Sequence, residues 1–248
     1  MEAVLNKRDQ ELALKAEMQA KKKEERKQKH DAWKEEIYEK NTPPKRSTLE
    51  EVGNAVTHGV GALLGVAAMT LMIAKADTPA KMVSAIVYGT CLVLLFTMSC
   101  LYHSFRWGSK VKRVFRRFDY SSIYLLIGGT FTPIFLIFWG NTLGIVLCIL
   151  QWVAIVAGIT VVAVFGPAAF KWIHMTLYLL LGWSAIMFLP DMVRECLPLF
   201  WYTLGGGIIY TLGIIPFMMH LKGSHFIWHF FVLFGAICQW IGIYVYLF

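Results

Sequence analysis

The sequence predicts an all-α integral membrane protein: a bundle of seven transmembrane helices, N-terminus inside and C-terminus outside, preceded by a charged helical tail. Three observations carry this. Hydrophobic residues make up 57% of the 248 and charged residues only 16%, against about 25% charged in an average soluble domain; mean hydropathy is +0.54. The charge is also confined, since 13 of the 24 Lys and Arg and 11 of the 16 Asp and Glu lie at or before Glu50. After that point, apolar runs near the roughly 20 residues needed to cross a bilayer recur seven times. The division follows: residues 1–50 form a cytoplasmic tail and residues 51–248 a membrane domain.

The tail is rich in Lys, Glu, Ala and Gln, a composition that favours helix. Its apolar positions Leu5, Leu12, Leu14 and Met18 are too sparse for a coiled coil, so a solvated charged helix or a disordered segment is expected. Trp33, Ile37 and Tyr38 are suited to rest on a headgroup layer, and Pro43-Pro44 stops the helix. The partners expected of the tail are anionic headgroups or a cytoplasmic protein.

The apolar runs fall at about 53–74, 82–105, 119–139, 143–165, 172–189, 197–218 and 226–247, joined by short polar links. The fifth is the shortest, and the third and fourth are open to misreading as one re-entrant hairpin. Orientation follows from basic residues in the short loops. One face holds the tail, Arg106, Lys110, Lys112, Arg113, Arg116, Arg117, Lys171 and Lys222; the other holds Lys75, Lys81 and Arg194. The net charge of +8 therefore reads as topology and contact with anionic lipid rather than nucleic-acid binding.

Gly61 and Gly65, Gly128-Gly129 and Gly205-Gly206-Gly207 read as close helix contacts, and Pro133 and Pro216 as kinks. Five scattered cysteines without a CxxC pair read as reduced packing residues. The N-terminal stretch shows no short apolar core with a cleavage site, so no removable signal peptide is expected.

Counting crossings gathers the chemistry. His103 closes the second run, Asp119 opens the third, and His225 and His229 open the seventh. Four crossings separate the two histidine clusters, which returns the chain to one face. His225 and His229 are four apart and share a helix face. With His103 they supply three nitrogens, and zinc with three protein ligands and an open position is the catalytic arrangement. Polar side chains inside a bundle are costly and usually partnered, which favours a Zn2+ site over isolated imidazoles.

Asp119 has two readings. It caps the third helix and pairs with Arg116 or Arg117, or it accepts a proton from water at the metal. Ser99, one turn before His103, either bonds its own backbone or orients the carboxylate or substrate. His58 and His174 are expected on the same side, each supporting the metal ligands from behind or, as a lone histidine more often does, bonded to a neighbouring helix. His30 and His220 are expected to be solvated or interfacial, and Glu51 to cap the first run.

The stretches EEVGNAVTHGVGALLG, SCLYHSF, FDYSSIYLLIGGTFTP, GGGIIYTLG and HFIWHFFVLFGA resemble the hemolysin III proteins in order and across residues 50–248. That family is grouped with the adiponectin and progestin receptors, and alkaline ceramidases are related. The resemblance implies a zinc site built from Ser99, His103, Asp119, His225 and His229, and an N-in, C-out topology. Adiponectin receptors are associated with ceramide amide hydrolysis, whereas hemolysin III proteins are named for cytolysis. Three functions follow as expectations for this multi-pass protein of the plasma membrane. It is a zinc-dependent hydrolase of lipid amide or acyl bonds with a ceramide-like substrate, a pore-forming cytolysin, or a receptor-like protein with structural zinc.

Overall fold

A computed structural model describes residues 2–219 and 221–248, with side-chain surroundings described from Gln10 onward. His220 and the side chain of Leu5 lie outside the described residues. The chain divides into two units, residues 1–42 and residues 43–248. The first is one helix, α1 (Glu2–Lys40). Its Leu12, Leu14, Met18, Trp33 and Tyr38 are exposed, and Lys40 pairs with Glu36 at 2.6 Å.

The second unit is all-helical among the described residues. Its elements are α2 (Thr48–Lys75), α3 (Pro79–Ser104), α4 (Lys110–Pro133), α5 (Thr142–Phe165), α6 (Lys171–Gly182), α7 (Leu189–Glu195), α8 (Leu197–Met218) and α9 (Ser224–Leu247). A π-helical turn, Ile134–Trp139, extends α4 directly after Pro133, where the missing N–H breaks the regular ladder. A 3-10 stretch, Trp183–Met187, links α6 to α7. Taken with these extensions, seven helices among the described residues are long and apolar enough to cross a membrane. The third and fourth apolar runs are two full-length helices joined at Gly140, not a re-entrant hairpin.

Side chains are distributed as a lipid-facing bundle requires. Leu63, Leu64 and Val66 of α2, Ile149, Leu150, Val153 and Val156 of α5, and Trp201 and Leu212 of α8 are exposed. An apolar surface of that extent suits hydrocarbon rather than water. Inside, α2 packs mainly on α3, α3 on α4, and α8 on α9, while α9 also meets α2 and α4. Close approach rests on glycine: a Cβ at Gly61 would sit 2.5 Å from the Phe96 ring, and one at Gly128 would sit 2.5 Å from Ile155. All five cysteines are free.

The largest departure from the sequence reading is the start of α4. It begins at Lys110, capped by Ser109, whose hydroxyl accepts from the Lys112 N–H at 3.1 Å. The basic stretch read as a loop is thus mostly helix. Asp119 sits in its third turn and caps nothing. Likewise Ser47 caps α2, accepting from the Glu50 N–H at 3.2 Å, so Glu51 is free to point elsewhere.

Candidate metal centre

Four helix ends converge at one end of the bundle. The end of α3 carries Ser99 and His103, α4 carries Asp119, the first turns of α9 carry His225 and His229, and α2 carries Glu51, Asn54 and His58. Gly223, at φ 79°, takes the left-handed conformation that favours glycine, which lets α9 start immediately before His225.

The imidazoles of His103, His225 and His229 meet. Ring centroids lie 5.2 Å apart for His103 and His225, 4.8 Å for His103 and His229, and 5.0 Å for His225 and His229. One nitrogen from each lies within 4.8 Å of the others, a grouping that can hold a metal ion. Zn–N bonds of about 2.0–2.1 Å put tetrahedral ligand atoms about 3.4 Å apart, so modest ring rotations would close the three on one ion. His103 Nε2, His225 Nε2 and His229 Nδ1 are buried without a hydrogen-bond partner. Unsatisfied buried acceptors cost about 1–3 kcal/mol each, and a cation among them would satisfy all three. The donor set fits a divalent metal.

Ser99 and Asp119 line the same small cavity as His58, His225 and His229. Arg46, Arg116, Tyr102 and Tyr120 complete the polar part of the wall. A second cavity of about 130 Å³ adjoins it and shares Leu95, Ile123, Phe217, Trp228 and Val232. This deeper chamber is walled mostly by apolar side chains of α4, α6, α8 and α9, among them Ile127, Phe131, Leu179 and Ile214.

The other histidines separate. His58 is buried and stacks on His229 with ring centroids 3.8 Å apart, its edge partner being Phe96. His174 is wholly buried, and its Nδ1 lies 2.9 Å from the Tyr124 hydroxyl. It bonds a neighbouring helix rather than the metal cluster. His30, on α1, is exposed and stacks on Trp33.

The sequence reading missed two residues. Glu51 does not cap; its Oε2 lies 2.6 Å from His103 Nδ1 and its Oε1 3.1 Å from Lys112 Nζ. Lys112, assigned to a loop, is fully buried, and its Nζ also donates to the carbonyls of Tyr102 and Phe105 at 3.0 Å each. The spacing of Glu51, Asn54 and His58 (i, i+3, i+7) and of Lys112, Arg116 and Asp119 (i, i+4, i+7) is the signal that could have found them. Each set lies on one helix face.

Seven apolar helices around an imidazole triad define a multi-pass integral membrane protein with a candidate metal centre. The chain belongs to the haemolysin-III-related family, whose profile matches residues 46–240. It is 36% identical to Hemolysin-3 of Bacillus cereus over 203 residues, covering 80% of this chain and 92% of that protein. It is 34% identical to the Hemolysin-3 homolog of Bacillus subtilis (strain 168) over 192 residues, 75% and 89% of the two chains. The human Monocyte to macrophage differentiation factor is 25% identical over 219 residues, 82% and 87% of the two.

Proposed function

We propose that this protein is a zinc-dependent hydrolase of an amide or acyl bond in a membrane lipid, with a ceramide-like substrate. One observation carries the reading. One nitrogen from each of three imidazoles lies within 4.8 Å of the others, beside a cavity that is also lined by a serine and a carboxyl group and shares its wall with an apolar chamber. His103, His225 and His229 would hold the ion. Zinc supplies Lewis acidity, polarising a carbonyl and lowering the pKa of water it binds to about 7.

The chain's own residues supply the rest. Asp119 is placed to accept the proton of an attacking water at its carboxylate and to pass it to the leaving nitrogen or oxygen. Ser99, which lines the same cavity, would donate to that carboxylate and hold it in one orientation. The apolar walls of the larger chamber would take an acyl chain and exclude bulk water, which strengthens the electrostatics of the polar cavity. The basic residues near this end support a reading in which it faces the cytoplasm at the plasma membrane, N-terminus inside, and the tail would lie beside anionic headgroups.

The test is Asp119→Asn in purified protein. The variant should keep its zinc, because no ligand is removed, and lose turnover of a fluorescent short-chain ceramide by about 10²–10⁴-fold, the usual contribution of a general base. Zinc-replete variant that hydrolyses at the wild-type rate would remove Asp119 from the mechanism. Two Bacillus relatives are named hemolysins, which favours a second reading, a cytolysin. That reading requires dye release from liposomes that a chelator leaves unchanged. Bound zinc with neither turnover nor release would leave a receptor with structural metal.

A further inference from the structure

The geometry points to Glu51 and Lys112 as positioning residues that set the metal affinity of the site by fixing His103. This rests on the metal-site reading above and deepens it. At 2.6 Å from a carboxylate oxygen, His103 Nδ1 must carry the ring's hydrogen, since two facing lone pairs would repel. The remaining lone pair is then on Nε2, the buried atom without a protein partner, and it is the atom available to join His225 and His229. A ligating histidine that donates its second N–H to a carboxylate is held in one tautomer and one ring orientation.

Asn54 reinforces this. Its Nδ2 lies 3.3 Å from the same Nδ1, while its Oδ1 is buried without a partner. Turning the amide by 180° exchanges the two atoms. One N–H would then meet two acceptors, and the unpartnered oxygen would be satisfied.

Lys112 completes the arrangement. An ammonium has three donors, and here three acceptors meet it: Glu51 Oε1 at 3.1 Å and the Tyr102 and Phe105 carbonyls at 3.0 Å each. Those carbonyls belong to the last turn of α3, where the helix leaves its C=O groups without intrahelical partners. Lys112 therefore holds the backbone on either side of His103, while Glu51 holds its ring. The charges of Glu51 and Lys112 also offset each other. Removing Glu51 leaves the buried Lys112 ammonium with its charge uncompensated, a costly state.

The test uses full-length protein purified in detergent. Dissociation constants for Zn2+ and Co2+ are measured by competition with a chromophoric chelator, together with the visible absorption of the Co2+ form. Glu51→Ala should weaken binding by roughly 10–100-fold, the usual effect of losing such a partner, and should alter the Co2+ spectrum. Glu51→Gln, whose amide oxygen still accepts from Nδ1, should fall between it and wild type. Lys112→Met should weaken binding as well, and Lys110→Ala, on the exposed side of α4, should not.

Folded Glu51→Ala binding within about twofold of wild type would overturn the inference, set against that expected loss. If this variant does not fold, the same result for Glu51→Gln decides in its place. Wild-type protein that takes up no metal would overturn the metal-site reading and this inference with it. Wild-type binding with unaffected Glu51 variants would sink only the present inference.

Discussion

At the scale of single residues, the two kinds of buried histidine differ in what their nitrogens face. His174 Nδ1 meets a tyrosine hydroxyl, an ordinary interhelical bond, whereas one nitrogen from each cluster imidazole lies within 4.8 Å of the others. His174→Phe should therefore leave the zinc content unchanged. It should lower stability by about 1–3 kcal/mol, because the Tyr124 hydroxyl loses its buried partner. Thermal unfolding and metal analysis on one sample check both halves; loss of zinc would place His174 in the site. The cluster of His103, His225 and His229 was legible because an imidazole side chain at the end of an apolar run stands out. Glu51 and Lys112 were not. Each sits among other charged residues, where capping and topology account for it locally, and only the fold shows that both turn inward.

At the scale of elements, hydropathy located the seven crossings because each must present about 20 apolar residues to lipid. It failed at the start of α4, where the inside-out pattern of a membrane bundle misleads. There Lys112 and Arg116 are buried while Val111, Val114 and Phe118 are exposed, the reverse of a soluble amphipathic helix. Nine residues of helix were read as loop for that reason. The Pro133 kink was legible, but the π-helical turn that accommodates it has no separate signature in the sequence. Packing between elements makes its own prediction. The α2–α3 contact leaves no room for a side chain at Gly61, whose Cβ would sit 2.5 Å from the Phe96 ring. Gly61→Val should cost about 1–3 kcal/mol, as overpacked cores do. An unchanged melting temperature would contradict the close contact of these two helices.

At the scale of the molecule, α2, α3, α4 and α9 meet at one end so that residues from Glu51 to His229 share a single polar site, with an apolar chamber directly beside it. The fold gathers ionisable groups at one end of the bundle and keeps the adjoining chamber apolar. That division suits chemistry on an amphiphile whose scissile bond lies near the membrane surface. The same layout explains why the even number of crossings between the histidine clusters mattered: an odd number would have separated them by the full bilayer.

The central claim is that three imidazoles distant in sequence hold one divalent ion. Its most direct test is elemental analysis of the purified protein beside a His103, His225 and His229→Ala triple variant of equal helicity. About one zinc per wild-type chain is expected, as three protein ligands converging on one ion require, and none in the variant. Equal metal in both, or none in either, would contradict it.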